Sequence, residues 1–488
     1  MRARLIVSTA MLVLAPVVGG QSQAPASPDR VLERIRIEAT GRSQVLTAFD
    51  QLVTAIGPRL TGTPEYKAAA EWARDTLTKW GLQNARLEPF DFGRGWVLER
   101  QVVEMIEPRY MPLIAHADAW SSSTKGELVG IPVMAGNRTA AEIAAMKDEL
   151  AGAIVLAQPL VTGFVREDRP QPSTSDTPVR IGAPPMPRQG RASQADARAA
   201  AQAIREAAPG VLLRSSAGQH GTMFVLGRDQ GDDARPSIVV AAEHYNMVVR
   251  MVERGIPVKL RVNLQTRFLN TDTQSYNVIA ELPGSDPVLR DEIVMLGAHL
   301  DSWHSAPGAS DNADGTVAVM EAARILKSIG ATPRRTIRVA LWGGEEQGLL
   351  GSRAYVARHF GGDANASARE KIALYLNLDP GMGPIYGWYM EENAAAKAVF
   401  DEWLAPLTTV GARKNVLPGI GSTDHLSFKA VGIPAFNPIQ DYVDYDVRTH
   451  HTNVDTYERV RPEDLRQNAI SLAWFAYRAG MHEGRIGK

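Results

Sequence analysis

Apolar positions along this chain fall into two rhythms, a helical spacing in a few long stretches and short alternating or continuous runs between them. From Pro28 to Ile56, Val31, Ile35, Val45, Phe49, Leu52 and Val53 keep a helical face with a break near Thr40-Gly41. A turn-rich loop, Ile56 to Gly62, separates this from a second helix in which Tyr66, Ala69, Ala70, Ala73, Leu77 and Trp80 recur until Gly81 stops it. Ala85 to Phe92 then alternates as a strand does. Farther on, Val262–Phe268, Ser275–Leu282, Ile293–Leu296, Ile337–Leu341 and Ile372–Leu378 read as strands, several of them continuous apolar runs that suit a sheet covered on both faces. Helical patterns at Thr316–Leu326, Asn393–Leu404 and Pro462–Ala479 are interleaved with them. This alternation predicts an α/β core, with the last helix covering the sheet.

The rhythm changes near Pro108. Up to about Lys259 the strands are short, Gly126–Gly130 and Gly152–Leu156 among them, with a polar helix at Ala140–Glu149, an alanine-rich helix at Ala192–Ala208 and a strand at Gly210–Leu213. A Pro-, Arg- and Gly-rich tract, Glu167 to Gly190, is too long for an ordinary loop and reads as a mobile stretch or a lid. The expected organisation is therefore a core built from 28–110 and 261–488, with 111–260 inserted between its halves. The strand at Val262–Phe268 is expected to return the chain to the core. The histidines of the insertion, His116, His220 and His244, are scattered and read as structural or surface groups.

Composition narrows the function. The chain has 488 residues, 44% of them apolar, and a net charge of −1, so nothing favours nucleic acid or an anionic membrane as partner. Arg2 and Arg4 precede an apolar run from Leu5 to Val18 and a polar tract after Gly19-Gly20, the pattern of a cleavable export signal ending at Gly20 or Ala24. That run is shorter than the roughly 20 residues a membrane span needs. With residues 1–24 removed as a signal peptide, no integral span is expected, and the mature chain would be secreted or periplasmic. There is no cysteine. Stability must then come from the core and any bound metal, and thiolate catalysis and thiolate ligands are excluded.

The chemistry gathers at the ends of the predicted core strands. The run ending at Leu296 delivers His299 and Asp301; Asp311 stands just before the helix that begins near Thr316; the strand ending at Leu341 is followed by Gly343-Gly344 and then Glu345-Glu346; the run ending at Leu378 gives Asp379; and His450-His451 lie in a late loop. An isolated Glu-Glu pair is ordinarily a solvated turn. Glycines before it and an apolar strand behind it aim this one at a cleft. Imidazoles and carboxylates together suit zinc, manganese or cobalt. His299, Asp311, Glu346, Asp379 and His451 divide evenly between two metals, each with one histidine and one terminal carboxylate, and Asp311 as the natural bridge. Two such cations about 3.5–4 Å apart would polarise a carbonyl and hold a bridging hydroxide. Glu345 is the expected general base, and Asp301 the expected acceptor for the free N–H of His299.

The order H-x-D, D-x-x-x-G, E-E-x-G-x-x-G-S, N-x-D and H-T-x-x-D-T, here at His299–Asp301, Asp311–Gly315, Glu345–Ser352, Asn377–Asp379 and His451–Thr456, resembles the co-catalytic zinc peptidase family. That family includes bacterial leucyl aminopeptidases, transferrin-receptor and glutamate-carboxypeptidase relatives, and plasma glutamate carboxypeptidase (carboxypeptidase Q). The resemblance covers roughly Arg30–Pro108 and Val262–Ala479. It implies two zinc ions, with His299, Asp311 and Asp379 on one and Asp311, Glu346 and His451 on the other, and Glu345 as base. It also implies a phosphorylase/hydrolase-like three-layer α/β core with a mixed sheet, a β-rich protease-associated-like inserted domain, and short peptides as substrates of an aminopeptidase or dipeptidase. A homodimer is compatible with it. The alternatives are glutaminyl cyclase-like acyl transfer, which needs one zinc, and a receptor-like binding module that has lost its ligands. Against both stands the full ligand set. His450 is the weaker neighbour of His451, since only His451 is followed by Thr and, four residues on, Asp; Asp424-His425 is assigned to the pocket, and His304 to a structural loop position.

Overall fold

The computed structural model describes residues 28–136, 138–170, 185–187 and 193–487. The expected export signal at 1–24 and most of the Pro-rich tract lie outside the described residues. No helix among the described residues is long and apolar enough to cross a membrane.

The core is a seven-stranded sheet of β1 (Gln83–Asp91), β2 (Gln274–Leu282), β3 (Ile293–His299), β4 (Thr336–Trp342), β5 (Ile372–Asn377), β6 (Met382–Tyr389) and β7 (Ala435–Asp441), in the order β1-β2-β4-β3-β5-β7-β6. The four central strands β4, β3, β5 and β7 are parallel, while β1, β2 and β6 pair antiparallel at the two sides. Parallel strands need helical crossovers, and those helices cover both faces.

Alternation along the strands sorts side chains into the two covering layers. Val294, Leu296 and Ala298 of β3 pack with helices α1 (Pro28–Gly41), α2 (Pro64–Lys79), α3 (Asp314–Ser328) and α5 (Pro462–Met481). Met295 points the other way, into a smaller core with Tyr355, Val356 and Phe360 of α4 (Leu350–Phe360) and with Phe428. The result is the expected three-layer arrangement, with the closing helix α5 buried along most of its length.

One expectation fails. The strand over 259–269 does not return the chain to the core; it pairs antiparallel with the strand over 95–107, from Lys259 opposite Glu107 to Leu269 opposite Gly95. Together they belong to a separate four-stranded sheet, and the return to the core is made one strand later by β2. Period-two alternation identifies a strand but not its partner, which is why the sequence placed it on the wrong sheet. Between these two long strands lies a five-stranded sheet with parallel strands at 154–156, 211–215 and 237–240, and with helices at Gln194–Glu206 and Ala242–Glu253.

A buried charge network ties the first helix to the helix that carries the site. Glu38 of α1 accepts hydrogen bonds from Arg324 and Ser328 at 2.8 Å each and from Arg42 at 2.7 Å. Arg324 also grips Glu321 through two hydrogen bonds. Burial by itself would raise the Glu38 carboxyl, but its hydrogen bonds to Arg324 and Arg42 win and hold it down at about 2, from 4.5. A depressed folded-state value means that the contribution is present above pH 4.5 and fades as pH falls toward about 2. Glu38→Gln is therefore expected to cost roughly 1–2 kcal/mol at neutral pH. In denaturant unfolding across a pH series, the gap between variant and parent should close between about pH 4.5 and 2.

Candidate metal centre

Three neighbouring parallel strands end at the same edge, and each hands a side chain to it. β3 ends on His299 itself. β4 runs out through Gly343 into Gly344, whose φ of 67° turns the chain so that Glu345 and Glu346 follow at once. β5 stops at Asn377, which is held by hydrogen bonds from its amide to Thr423 and Asn437, and Asp379 lies two residues on. Carboxyl ends of parallel strands are where α/β sheets place their sites. Asp311 arrives on the turn before α3, where the Asp455 carboxylate accepts the Ser310 and Asp311 backbone N–H groups at 2.8 and 3.0 Å. His451 comes from a late turn in a left-handed conformation, φ 63°.

The five expected ligands converge. His299 Nε2 lies 3.3 Å from Asp311 Oδ1 and 3.7 Å from Asp379 Oδ1. His451 Nε2 lies 3.5 Å from Asp311 Oδ2 and 2.9 Å from Glu346 Oε2. Asp311 thus turns one oxygen to each histidine. Donor atoms of His299, Asp311 and Asp379 all lie within 4.8 Å of one another, as do those of Asp311, His450 and His451. His299 Nε2, Asp311 Oδ2 and Glu346 Oε1 are buried without a hydrogen-bond partner among the described residues. Buried polar atoms are normally paired, so a converging set of orphans fits a cation that would satisfy them together.

The electrostatics point the same way. Burial raises the Glu346 carboxyl to about 7, reinforced by Asp311 and opposed by His451. Burial, together with Asp379, Asp424 and Glu346, also pushes Glu345 well above 4.5, against the pull of His299. For the His299 imidazole burial acts downward, but Glu345 and Asp379 outweigh it and raise the ring well above its ordinary value. His451 is raised to about 9, again against burial, chiefly by Glu346. Carboxylates crowded at this density call for positive charge beside them.

Asp301 departs from its expected role. The ring nitrogen Nδ1 of His299 is 3.0 Å from the backbone carbonyl of Asp301 and 3.6 Å from its carboxylate. The carboxylate is engaged elsewhere: it accepts the Thr61 hydroxyl at 3.0 Å and the backbone N–H groups of Glu345 and Glu346 at 3.2 and 3.3 Å. Thr61 in turn accepts the Gly344 N–H at 2.9 Å. Asp301 therefore fixes the Glu-Glu turn, while its carbonyl orients the histidine. A carboxylate with three donors around it has no call on a fourth that the nearer carbonyl already takes. Thr61 and Asp455 received no role from the sequence; the turn-rich loop at 56–62 and the Asp in the H-T-x-x-D stretch were the available signals.

The remaining candidates separate. His304 turns away toward 95–269, with Nε2 2.8 Å from the Ala117 carbonyl and its ring edge-on to His116. His425 lies 3.1 Å from Glu391. Asp424 is buried near the cluster, and burial raises its carboxyl to about 7. The His450 ring lies against that of His451, 3.7 Å between centroids, and burial and then the neighbouring imidazole lower it to about 3. Beside Glu346 opens a cleft of about 460 Å³ between the core and the 95–269 segment, lined among others by Arg94, Trp120, Arg228 and Trp303.

Residues 277–475, which contain all five candidate ligands, match the model of peptidase family M28. Carboxypeptidase Q of Mus musculus is 26% identical over 428 residues, 87% of this chain and 83% of that protein. A peptidase M28 precursor from Shewanella amazonensis SB2B has a similar solved structure, with a TM-score of 0.69 at 25% identity, covering 94% of this chain and 98% of that one. A zinc aminopeptidase from Bacillus subtilis shares the fold at 20% identity, with a TM-score of 0.59 over 91% of this chain and 96% of that one. Over residues 277–475 the chain is thus similar to the peptidases of family M28, and together with its carboxypeptidase and peptidase relatives this supports a zinc-dependent metallo-exopeptidase.

Proposed function

We propose that this chain is an exported exopeptidase that removes residues from short peptides with two zinc ions, one held by His299, Asp311 and Asp379 and the other by Asp311, Glu346 and His451. The observation that carries this reading is the split carboxylate of Asp311, with Oδ1 facing His299 and Oδ2 facing His451. Both histidines lie near Asp311, but His451 is preferred because its Nε2 is close to Glu346 as well as Asp311, whereas His450 turns Nδ1 to Asp446 at 3.6 Å. Export rests on the charged and apolar pattern of residues 1–24.

Zinc, when bound, polarises the scissile carbonyl and makes water acidic enough to attack it at neutral pH. The chain's own groups do the rest. Glu345, held by its backbone N–H on Asp301, takes the proton from the attacking water and passes it to the departing amine. The cleft beside Glu346 receives the peptide. At about 460 Å³ and closed on one side by Trp120, Arg228 and their neighbours, it suits a few residues of peptide, which supports a dipeptide or a chain end as substrate. The chain is similar both to carboxypeptidase Q and to a zinc aminopeptidase, which act at opposite ends of a peptide.

Amino-acid amides, dipeptides and N-blocked peptides, each with and without chelator, separate these ends. Hydrolysis should require metal, and activity that persists after complete metal removal would exclude the reading. Removing the metal should also lower the midpoint of thermal unfolding, and zinc at 100 times its dissociation constant should restore about 2.7 kcal/mol. In kinetic assays, Glu345→Gln should retain both zinc equivalents and lose roughly 10²–10⁴ in turnover. Normal turnover in that variant would assign the base elsewhere.

A further inference from the structure

The 95–269 segment also meets the core through a buried ion pair. Arg169 from that segment and Asp446 from the core pair with side chains only 5% and 3% exposed. The Arg169 Nε and backbone N–H both donate to Asp446 Oδ2 at 2.8 Å, and Nη2 donates to Oδ1 at 2.6 Å. Next to it, Asp168 accepts the N–H groups of Asp444 and Val447 at 2.8 and 3.0 Å. Arg448 donates to the Gln219 carbonyl and the Thr222 hydroxyl, both at 3.0 Å. Met223 N–H donates to Asn453 Oδ1 at 2.6 Å, and Val225 N–H donates to the carbonyl of His451 at 3.1 Å.

What these contacts grip is the turn that carries His451. Unlike His299, which leaves a central strand, His451 sits in a stretch bracketed by left-handed residues, Asp444 at φ 64° and His451 itself at φ 63°. Residues with a Cβ seldom hold that conformation unaided. The ion pair also reaches the imidazole through a run of rings. The Arg169 guanidinium lies 5.2 Å from the centre of the Tyr445 ring, Tyr445 stacks on His450 at 5.1 Å, and His450 lies against His451 at 3.7 Å.

We infer that the buried Arg169–Asp446 pair is a latch through which the 95–269 segment positions His451 for its metal. Arg169 and Asp446 are positioning residues, and neither touches substrate. A ligating imidazole must be aimed to within about half an ångström, and no strand of the core does this for His451. The two metals are therefore held unequally: His299 and Asp379 stand at strand ends of the core, whereas His451 depends on the latch. This inference rests on the two-zinc reading above, with His451 as a ligand.

The test uses the full chain and three variants. Arg169→Met removes the cation, Asp446→Asn keeps the shape and removes the charge, and Arg214→Met breaks a different ion pair, with Asp118, inside the 95–269 segment. Hydrogen exchange over residues 444–453 and the release of zinc to a chelator are followed in each. The first two variants should exchange at 444–453 at least tenfold faster and release one zinc equivalent at least tenfold faster, the other leaving at the parent rate. Arg214→Met should match the parent in both. If Arg169→Met does not fold, the isosteric Asp446→Asn decides alone. Parent-like exchange and release in the latch variants would overturn the inference, as would equal loss of both zincs in all three. Fewer than two zincs on the parent protein would instead sink the two-zinc reading, and the exchange at 444–453 would still decide the latch.

Discussion

Charge density at one sheet edge is the constraint around which this molecule is arranged. Four carboxylates, those of Asp311, Glu345, Glu346 and Asp379, and two imidazoles, those of His299 and His451, are brought together where water is largely excluded. A buried charge left alone is costly, and a cluster of like charges more so. The apparatus around the cluster serves this convergence: parallel strands that end together, a glycine turn that projects two glutamates, an Asp455 carboxylate that pins the Asp311 backbone, and an Asp301 carboxylate that pins the Glu-Glu turn. A pair of divalent cations would neutralise the excess and satisfy the orphaned nitrogen and oxygen atoms at once, which is why the metal reading accounts for more of the geometry than a solvated acidic turn would.

Much of this was legible in the sequence because it is local. Strand ends are visible as apolar runs that stop, and His299, Glu345-Glu346 and Asp379 each follow such a stop within a few residues. Helices α1, α2 and α5 show their periodicity directly, with the break near Gly41 falling where α1 ends. What could not be read is anything that depends on partners distant in the chain. The strand at 259–269 alternates as any strand does, and only pairing with 95–107 takes it away from the core. Asp301 was given a role from its spacing to His299, but whether a carboxylate or the carbonyl beside it faces a ring is a matter of a few tenths of an ångström. Thr61 and Arg169 lie 240 and 277 residues from the groups they hold, and nothing in their surroundings in sequence marks them.

The 95–269 segment is more than an ornament on the catalytic unit. It closes one wall of the cleft beside Glu346, and it lends backbone hydrogen bonds to the turn of His451. A site whose one half stands on rigid strands and whose other half is shaped by a separate sheet has a natural point of variation: the wall and the turn can change while the sheet edge stays as it is.

The central claim is that two cations share Asp311. Anomalous diffraction from a crystal grown with zinc, recorded on both sides of the zinc absorption edge, tests it most directly. The account predicts two peaks about 3.5–4 Å apart, one beside His299 and Asp379 and one beside Glu346 and His451, with the Asp311 carboxylate between them. A single peak, or a peak at His450 in place of His451, would contradict it.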